Sequence, residues 1–527
     1  MFEPAGADHG TVPMSEMSAI VPRKAPLLDR LLDALVDPGR RERAVLVVLA
    51  AYAAIWTLYG TIAKGSQDIH FDMGEMIAWS REVTLGTPKH PPLPAWLVRA
   101  WFSVFPLDDW AYYLFAMLLA AAALWFAWKA SAPYLDGEKR VAGLALLTLV
   151  PFYNFHALKF NANTVMTPLW ALATWWFLRS YETRNPLSAV LAGLAAAAAM
   201  LGKYWAIFLL LGLGIAALAD PRRRAYFASP APWLTIAAGV VGIAPHLAWL
   251  YANDFKPFGY AMESHAADLW DALASGLDYV LGAAGYLAVP TLVALAAARP
   301  SPAAVRDTIT PRDPPRRLAL HAFVLPLLLP IAGALVAHEE VVSLWTIGSM
   351  TLFPIVLLSS PQVSLGRLAA RRILAIAIAV PVAAAALSPL IAIVIHRQGV
   401  PNYASQYRLV AQAVDGVWRQ TTDRPLRLVG SYNNLLYGTL FYFPERPSTL
   451  DIGDPAVTPW TDAARLARQG IAMVCPVELP GCVKAMDDLA ARRPAGKRAE
   501  VELSRSYLGV ADKPVRYLIV TVPPEAK

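Results

Sequence analysis

Residues 44–63 read AVLVVLAAYAAIWTLYGTIA, twenty positions without a charged side chain, and they follow directly on Arg40, Arg41, Glu42 and Arg43. A hydrocarbon core about 30 Å thick takes about twenty residues of α-helix to cross. Lipid offers no hydrogen-bond partners, so each backbone N–H and C=O must be satisfied within the segment, and the stretch crosses as a helix. Similar apolar blocks recur outward from it, near 110–130, 140–157, 164–180, 186–202, 204–219, 231–251, 278–298, 318–337, 343–359 and 372–396. The expected fold class is an α-helical polytopic membrane protein of about eleven spans, with a small C-terminal α/β domain.

Composition agrees. The 527 residues are 57% hydrophobic and 16% charged, against roughly 25% charged in soluble domains. The alternating strands of about ten residues that mark a membrane barrel do not occur. The net charge of +7 lies in short loops between spans rather than on a soluble face, which argues against nucleic-acid binding. Those loops also fix orientation. One side holds Lys129, Lys139, Arg140, Arg179, Arg184, Arg222, Arg223, Arg224, Arg299, Arg306, Arg312, Arg316, Arg317, Arg367, Arg371 and Arg372; the other carries little beyond Lys159, Lys203 and Lys256. By the positive-inside rule the basic side is cytoplasmic. The same asymmetry favours splitting the run 186–219 at Gly202-Lys203. Residues 1–43 are then a cytoplasmic tail, in which 27–36 form either a surface helix or mobile chain. The spans fill residues 44–399.

An odd number of spans places residues 400–527 on the outer side, together with the first loop at 62–109. The tail alternates strand-like runs at 426–430, 471–475, 501–503 and 516–522 with helical patterns at 407–420, 461–468 and 483–492, as a small α/β domain does. Cys475 and Cys482, the only two cysteines, either pair in an oxidising compartment or stay as two thiols.

The first loop concentrates the chemistry. It reads His70-Phe71-Asp72-Met73-Gly74-Glu75, then Trp79-Ser80-Arg81, then Lys89-His90-Pro91-Pro92-Leu93 and Trp96-Leu97. Amphipathic patterns at 73–85 and 93–105 predict interface helices on either side of a Gly86-Thr87-Pro88 turn. Asp72 and Glu75, three apart, share a helix face. A pocket for group transfer needs a carboxylate to hold an acceptor hydroxyl and cations to stabilise a leaving phosphate. The alternative is structural, with Asp72 as an N-cap and Arg81, Lys89 and His90 resting on lipid phosphates.

The order Asp72…Trp79-Ser80-Arg81…Gly86…His90-Pro91-Pro92-Leu93…Trp96-Leu97 resembles the first-loop signature of the GT-C superfamily of glycosyltransferases. It is most similar to the family 39-like branch of protein O-mannosyltransferases and the lipid A aminoarabinose transferase. Asn161-Ala162-Asn163-Thr164, Thr167-Pro168-Leu169-Trp170 and Leu201-Gly202-Lys203-Tyr204 continue the likeness over about residues 44–360. The resemblance implies an inverting transferase on the outer face of a bacterial inner membrane. It would take sugar from a polyprenyl-phosphate donor to a lipid or glycan acceptor such as a lipopolysaccharide component, with no metal or other cofactor. It implies Asp72 as the catalytic carboxylate, with Glu75 standing in for a second acid where this chain has Met73. Lys89, His90, Arg81 and Lys203 would face the donor phosphate, although a lysine at a membrane boundary can also simply snorkel. Lys159, Asn163, Tyr204, His338 and Glu339 are further substrate-binding candidates, the last two in a short outer loop that reads equally as a solvated turn. A transporter or flippase is the competing class. It would place ionisable groups within the spans, whereas here they gather in outer loops.

Overall fold

The computed structural model describes residues 26–491, residue 493 and residues 496–525. The first 25 residues of the expected cytoplasmic tail therefore lie outside the described residues. Helix α1 (Leu27–Val36) buries Leu32 and Leu35 and is tied to the start of the last span by Arg371–Asp29 at 3.2 Å and Arg367–Asp33 at 2.7 Å. The helical bundle then runs α2 (Arg41–Ala63), α3 (Phe71–Arg81), α4 (Leu93–Phe102), α5 (Asp109–Ser131), α6 (Gly137–Thr148), α7 (Met166–Thr183), α8 (Pro186–Gly202), α9 (Ala206–Ala219), α10 (Arg223–Phe227), α11 (Ala231–Ala252), α12 (Lys256–His265), α13 (Leu269–Ala298), α14 (Pro302–Ile309), α15 (Pro314–Ala337), α16 (Phe353–Leu358) and α17 (Arg367–Gln398).

Among the described residues, six helices are long and apolar enough to cross a membrane: α2, α5, α11, α13, α15 and α17. Only 11% of the apolar window of α11, and of α13, is covered by protein. A helix apolar all round yet uncovered on most sides is one solvated by lipid. The protein is a multi-pass membrane protein.

Several expected spans are shorter than their apolar pattern. Regular helix ends at Thr148, where the chain turns through the 3-10 segment Pro151–Tyr153 and stays irregular to Val165. The tenth block is mostly a 3-10 helix, Ser343–Leu352, pressed so close to α7 that a Cβ on Gly348 would sit 2.6 Å from the Trp170 ring. The break at Gly202-Lys203 is real. α8 begins on Asn185, whose side chain accepts from the Leu187 and Ser188 amides, and Lys203 is fully extended, so α8 and α9 are separate helices. α8 and α11 touch through Gly193, where a Cβ would lie 2.2 Å from the Thr235 carbonyl oxygen. Small residues are what allow such approach inside lipid.

The tail forms a five-stranded sheet. Its strands are β1 (Leu428–Ser431), β2 (Ser448–Asp451), β3 (Ile471–Pro476), β4 (Arg498–Leu503) and β7 (Val515–Val522), in the order β2-β1-β3-β7-β4. β2, β1 and β3 are parallel, and β3-β7-β4 are antiparallel. A hairpin of β5 (Ser506–Tyr507) and β6 (Val510–Ala511) stands apart. The helices are α18 (Tyr407–Arg419), α19 (Asn433–Leu440), α20 (Ala463–Gln469) and α21 (Pro480–Ala490). Side chains alternate faces along each strand. Leu428, Ile471, Met473 and Leu518 pack with Met486 of α21, whereas Val429, Ala472, Val474 and Ile519 join the core that includes α18, α19 and the bundle. Cys475 and Cys482 are disulfide-bonded, linking β3 to α21.

The domain is locked onto the first loop. Asp68, 2% exposed, accepts from Arg505 at 2.8 Å and from the Arg408 amide at 2.9 Å; Arg408 also reaches Asp109 at 3.1 Å, which accepts from the Tyr442 hydroxyl at 3.1 Å.

Candidate active site

α3 starts where the chain leaves α2 and its first turn is capped by His70, whose Nδ1 accepts from the Asp72 amide at 3.1 Å. It ends at Arg81, four residues short of the amphipathic pattern, just as α4 stops at Phe102 rather than 105. The face carrying Met73, Met76, Ile77 and Trp79 is buried. α19 lies on it so closely that a Cβ on Gly74 would stand 2.0 Å from the Tyr437 carbonyl oxygen. The tail domain therefore sets where α3 sits.

At the end of the bundle where α2, α6 and α8 finish, the irregular segment after Tyr153 brings a second set of polar groups to Asp72. Asn161 Nδ2 donates to Asp72 Oδ2 at 2.8 Å, and Lys159 Nζ lies 3.2 Å from the same oxygen. Burial alone would raise the Asp72 pKa, but Lys159, His70 and Asn161 outweigh it and hold the carboxyl below its ordinary value. It is an ionised acceptor at neutral pH. Burial pushes His70 down to about 4, so its ring is neutral there. Asn161 is itself fixed, because its Oδ1 accepts from the Asn163 and Thr164 amides at 2.9 and 3.0 Å.

Lys203 comes from the α8–α9 break. Its ammonium donates to Asn163 Oδ1 and lies 4.9 Å from the Trp345 ring centre. Burial pushes it down to about 7, against a smaller opposing pull from Asp72. Next to it, the Tyr204 hydroxyl meets His246 Nε2 at 3.0 Å, and His246 Nδ1 lies 2.6 Å from the Leu85 carbonyl oxygen. A carbonyl can only accept, so Nδ1 carries the proton, Nε2 accepts from Tyr204, and α11 is stitched to the first loop.

Glu75 has a different partner from Asp72. It pairs with Lys89 at 2.8 Å, and Lys89 also lies 5.3 Å from the Tyr260 ring centre and 5.7 Å from that of Tyr437. Burial raises the Glu75 pKa, with Lys89 opposing. The Tyr437 hydroxyl is buried and has no hydrogen-bond partner among the described residues. His90 packs edge-on against Trp79 and is pushed down to about 3 by burial and by Lys203 and Lys89.

Two expectations move. Arg81 turns away from Asp72 and donates to the carbonyls of Leu440, at 2.8 Å, and Pro447, so it fastens the tail domain rather than presenting a free guanidinium. His338 and Glu339 form a turn: the His338 carbonyl accepts from Ala267 at 2.8 Å, Glu339 bridges to Ala266, and the His338 side chain is exposed. That turn holds His265 against Trp345 at 5.0 Å, so it bears on Lys203 only through the ring beneath it. Sequence reasoning passed over Asn161, although its motif was in view, and also Lys64, which ends α2 and adds positive field at His70. His246 and Tyr437 carry no sequence signal; only tertiary docking brings them here.

Comparison with known proteins places this arrangement. Over 90% of the chain superposes on 97% of ArnT from Cupriavidus metallidurans bound to undecaprenyl phosphate, at 12% identity and a TM-score of 0.60. The apo state of that protein gives the same TM-score and identity over 91% and 98% of the two chains. The fold is that of the GT-C glycosyltransferases. Residues 89–249 match the family model described as dolichyl-phosphate-mannose-protein mannosyltransferase. That span takes in Lys89, His90, Lys159, Asn161, Asn163, Lys203, Tyr204 and His246 of the candidate site, and stops short of Asp72 and Glu75 on its N-terminal side. The oligosaccharyltransferase of Archaeoglobus fulgidus in its apo form aligns with 84% of the chain and 71% of its own, at 12% identity and a TM-score of 0.43. No curated protein sequence matches.

Proposed function

We propose that this membrane glycosyltransferase moves a sugar from a polyprenyl-phosphate donor to a lipid or glycan acceptor, with inversion, at the outer face of a bacterial inner membrane. The observation that carries the reading is the Asp72 carboxylate, held ionised between Lys159 and Asn161 where the spans end in a GT-C bundle. The acceptor hydroxyl oxygen forms the new bond to the anomeric carbon as the bond from that carbon to the phosphate oxygen breaks. The hydroxyl proton passes to Asp72 and the polyprenyl phosphate departs with the bonding pair. An acceptor that is already an ionised phosphate needs only to be oriented there.

Charge on the leaving phosphate needs cations not already neutralised. Lys203 fits this role, since its partners among the described residues are the neutral Asn163 and Trp345, whereas Lys159 is paired with Asp72 until that carboxylate takes the proton. Lys89 is paired with Glu75, so in this reading Glu75 positions Lys89 and His90 rather than taking the proton. Residues 44–399 carry the chemistry, with the catalytic loop at 62–109. The domain 400–527 clamps that loop, and its disulfide accords with an oxidising, extracytoplasmic setting. The test is transfer from a radiolabelled polyprenyl-phosphate sugar in proteoliposomes, paired with mass spectrometry of membrane lipids from a deletion strain. Loss of one sugar mass in the strain and label transfer in vitro are expected. Unchanged lipids and glycans together with absent transfer would refute the reading.

A further inference from the structure

The opposite end of the bundle carries a charged cluster that the transfer chemistry does not use. Glu42, at the start of α2, has Lys129 at 3.1 Å, Arg140 at 3.9 Å and Arg41 at 4.0 Å. Three cations around one carboxylate leave the cluster net positive. Arg140 is 3% exposed, lies 3.7 Å over the Trp128 ring and donates to the Trp128 carbonyl at 2.8 Å. Arg41 Nε is buried with no hydrogen-bond acceptor among the described residues. Around it, Arg367 and Arg371 are matched by Asp33 and Asp29, and Arg222 by Asp220 and Glu182.

Beside the cluster lies a cavity of about 220 Å³ between α1, α2, α5, α6 and α17, lined by apolar groups that include Leu35, Leu49, Trp128, Val141 and Leu374. Trp128 and Val141 are the chain neighbours of Lys129 and Arg140, so cavity and cluster are continuous. Along α2 the distance from Arg41 to Ile55, the deepest lining residue on that helix, is about 21 Å at 1.5 Å per residue. That matches one leaflet, about half of a 40–45 Å bilayer counted with its headgroups.

We propose that this groove binds one anionic phospholipid of the leaflet at the α1 end. An acyl chain lies in the cavity against Trp128 and Leu374, and the headgroup phosphate rests on Arg41 and Lys129. The bound lipid fastens α1 to the four helices around it. Free inorganic phosphate lacks the chain that the cavity selects, so the two parts of the site act together.

The experiment is native mass spectrometry of the full chain, purified in detergent and equilibrated with phosphatidylglycerol or phosphatidylcholine. Wild type is expected to retain one phosphatidylglycerol. R41Q and K129Q each lower the preference for phosphatidylglycerol about fivefold, the contribution of one basic residue near an anionic surface. R43Q, which alters an exposed arginine outside the cluster, leaves the preference unchanged. A145F and A377F, two independent ways of filling the cavity, abolish retention of both lipids; either one that melts as wild type suffices. Equal retention of the two lipids by wild type would overturn the proposal. So would a folded cavity variant that keeps its phosphatidylglycerol, or retention of a polyprenyl phosphate in its place.

Discussion

Replacing Gly74 with alanine tests how the tail domain controls the site. In an open helix the change would stabilise by up to about 1 kcal/mol, because alanine loses less backbone entropy than glycine. Here the new methyl would lie 2.0 Å from the Tyr437 carbonyl oxygen, where carbon–oxygen contact needs about 3.3 Å. The partner is backbone, fixed within α19, so α3 and α19 must part by more than about 1 Å. Overpacking of this kind costs about 1–3 kcal/mol, which exceeds the propensity gain. Asp72 sits two residues from Gly74, and a displacement of about 1 Å at reacting groups can cost about a hundredfold in rate. G74A is therefore expected to melt lower than wild type by that margin and to lose about two orders of magnitude in kcat for sugar transfer. The assay is label transfer in proteoliposomes alongside thermal unfolding of the same preparation. A G74A protein as stable and as fast as wild type would refute the claim that α19 sets the position of α3.

The remaining predictions concern charge. With its pKa lowered to about 7, Lys203 is cationic below that pH and loses its charge as pH rises through it, so kcat/KM falls on the alkaline side from about pH 7. K203R, whose guanidinium stays protonated up to about pH 12, removes that alkaline limb, read from the pH profile of kcat/KM. D68N removes the negative charge that faces Arg505 at 2.8 Å and is expected to lower unfolding free energy by about 3 kcal/mol, as for other broken buried pairs, measured by thermal melting. R81A strands the carbonyls of Leu440 and Pro447 and is expected to cost about 2 kcal/mol of stability with the donor KM unchanged. A raised KM without destabilisation would return Arg81 to the donor site.

Six of the expected spans were legible because lipid leaves few options and apolar length marks them, and Gly202-Lys203 marked a real break. Their irregular stretches were not. Within 149–165 only Pro151 signals that helix stops at Thr148, and the packing of the buried Tyr153 and Asn154, which no pattern announces, completes the turn. The first loop was legible as a cluster but not as a geometry. Asp72, Lys159 and Asn161 converge across 87 positions of chain between the first two, and sequence periodicity carries no information about such pairing. In the tail the four strands with six to eight residues or clear apolar runs were readable, whereas β2 and α19 were missed. β2 is four residues long, and α19 is eight residues interrupted by Gly438, whose role is to admit the Tyr407 ring. Arg81 looked like an anion binder because sequence shows a guanidinium, and not the two carbonyls that receive it.

The most direct measurement is the turnover of D72N. Asparagine keeps the shape and the bond from Asn161 within reach but cannot take a proton. The account predicts a protein that melts as wild type, still binds the polyprenyl-phosphate donor, and transfers sugar about a hundred to ten thousand times more slowly. Transfer within a few-fold of wild type by folded D72N would contradict it.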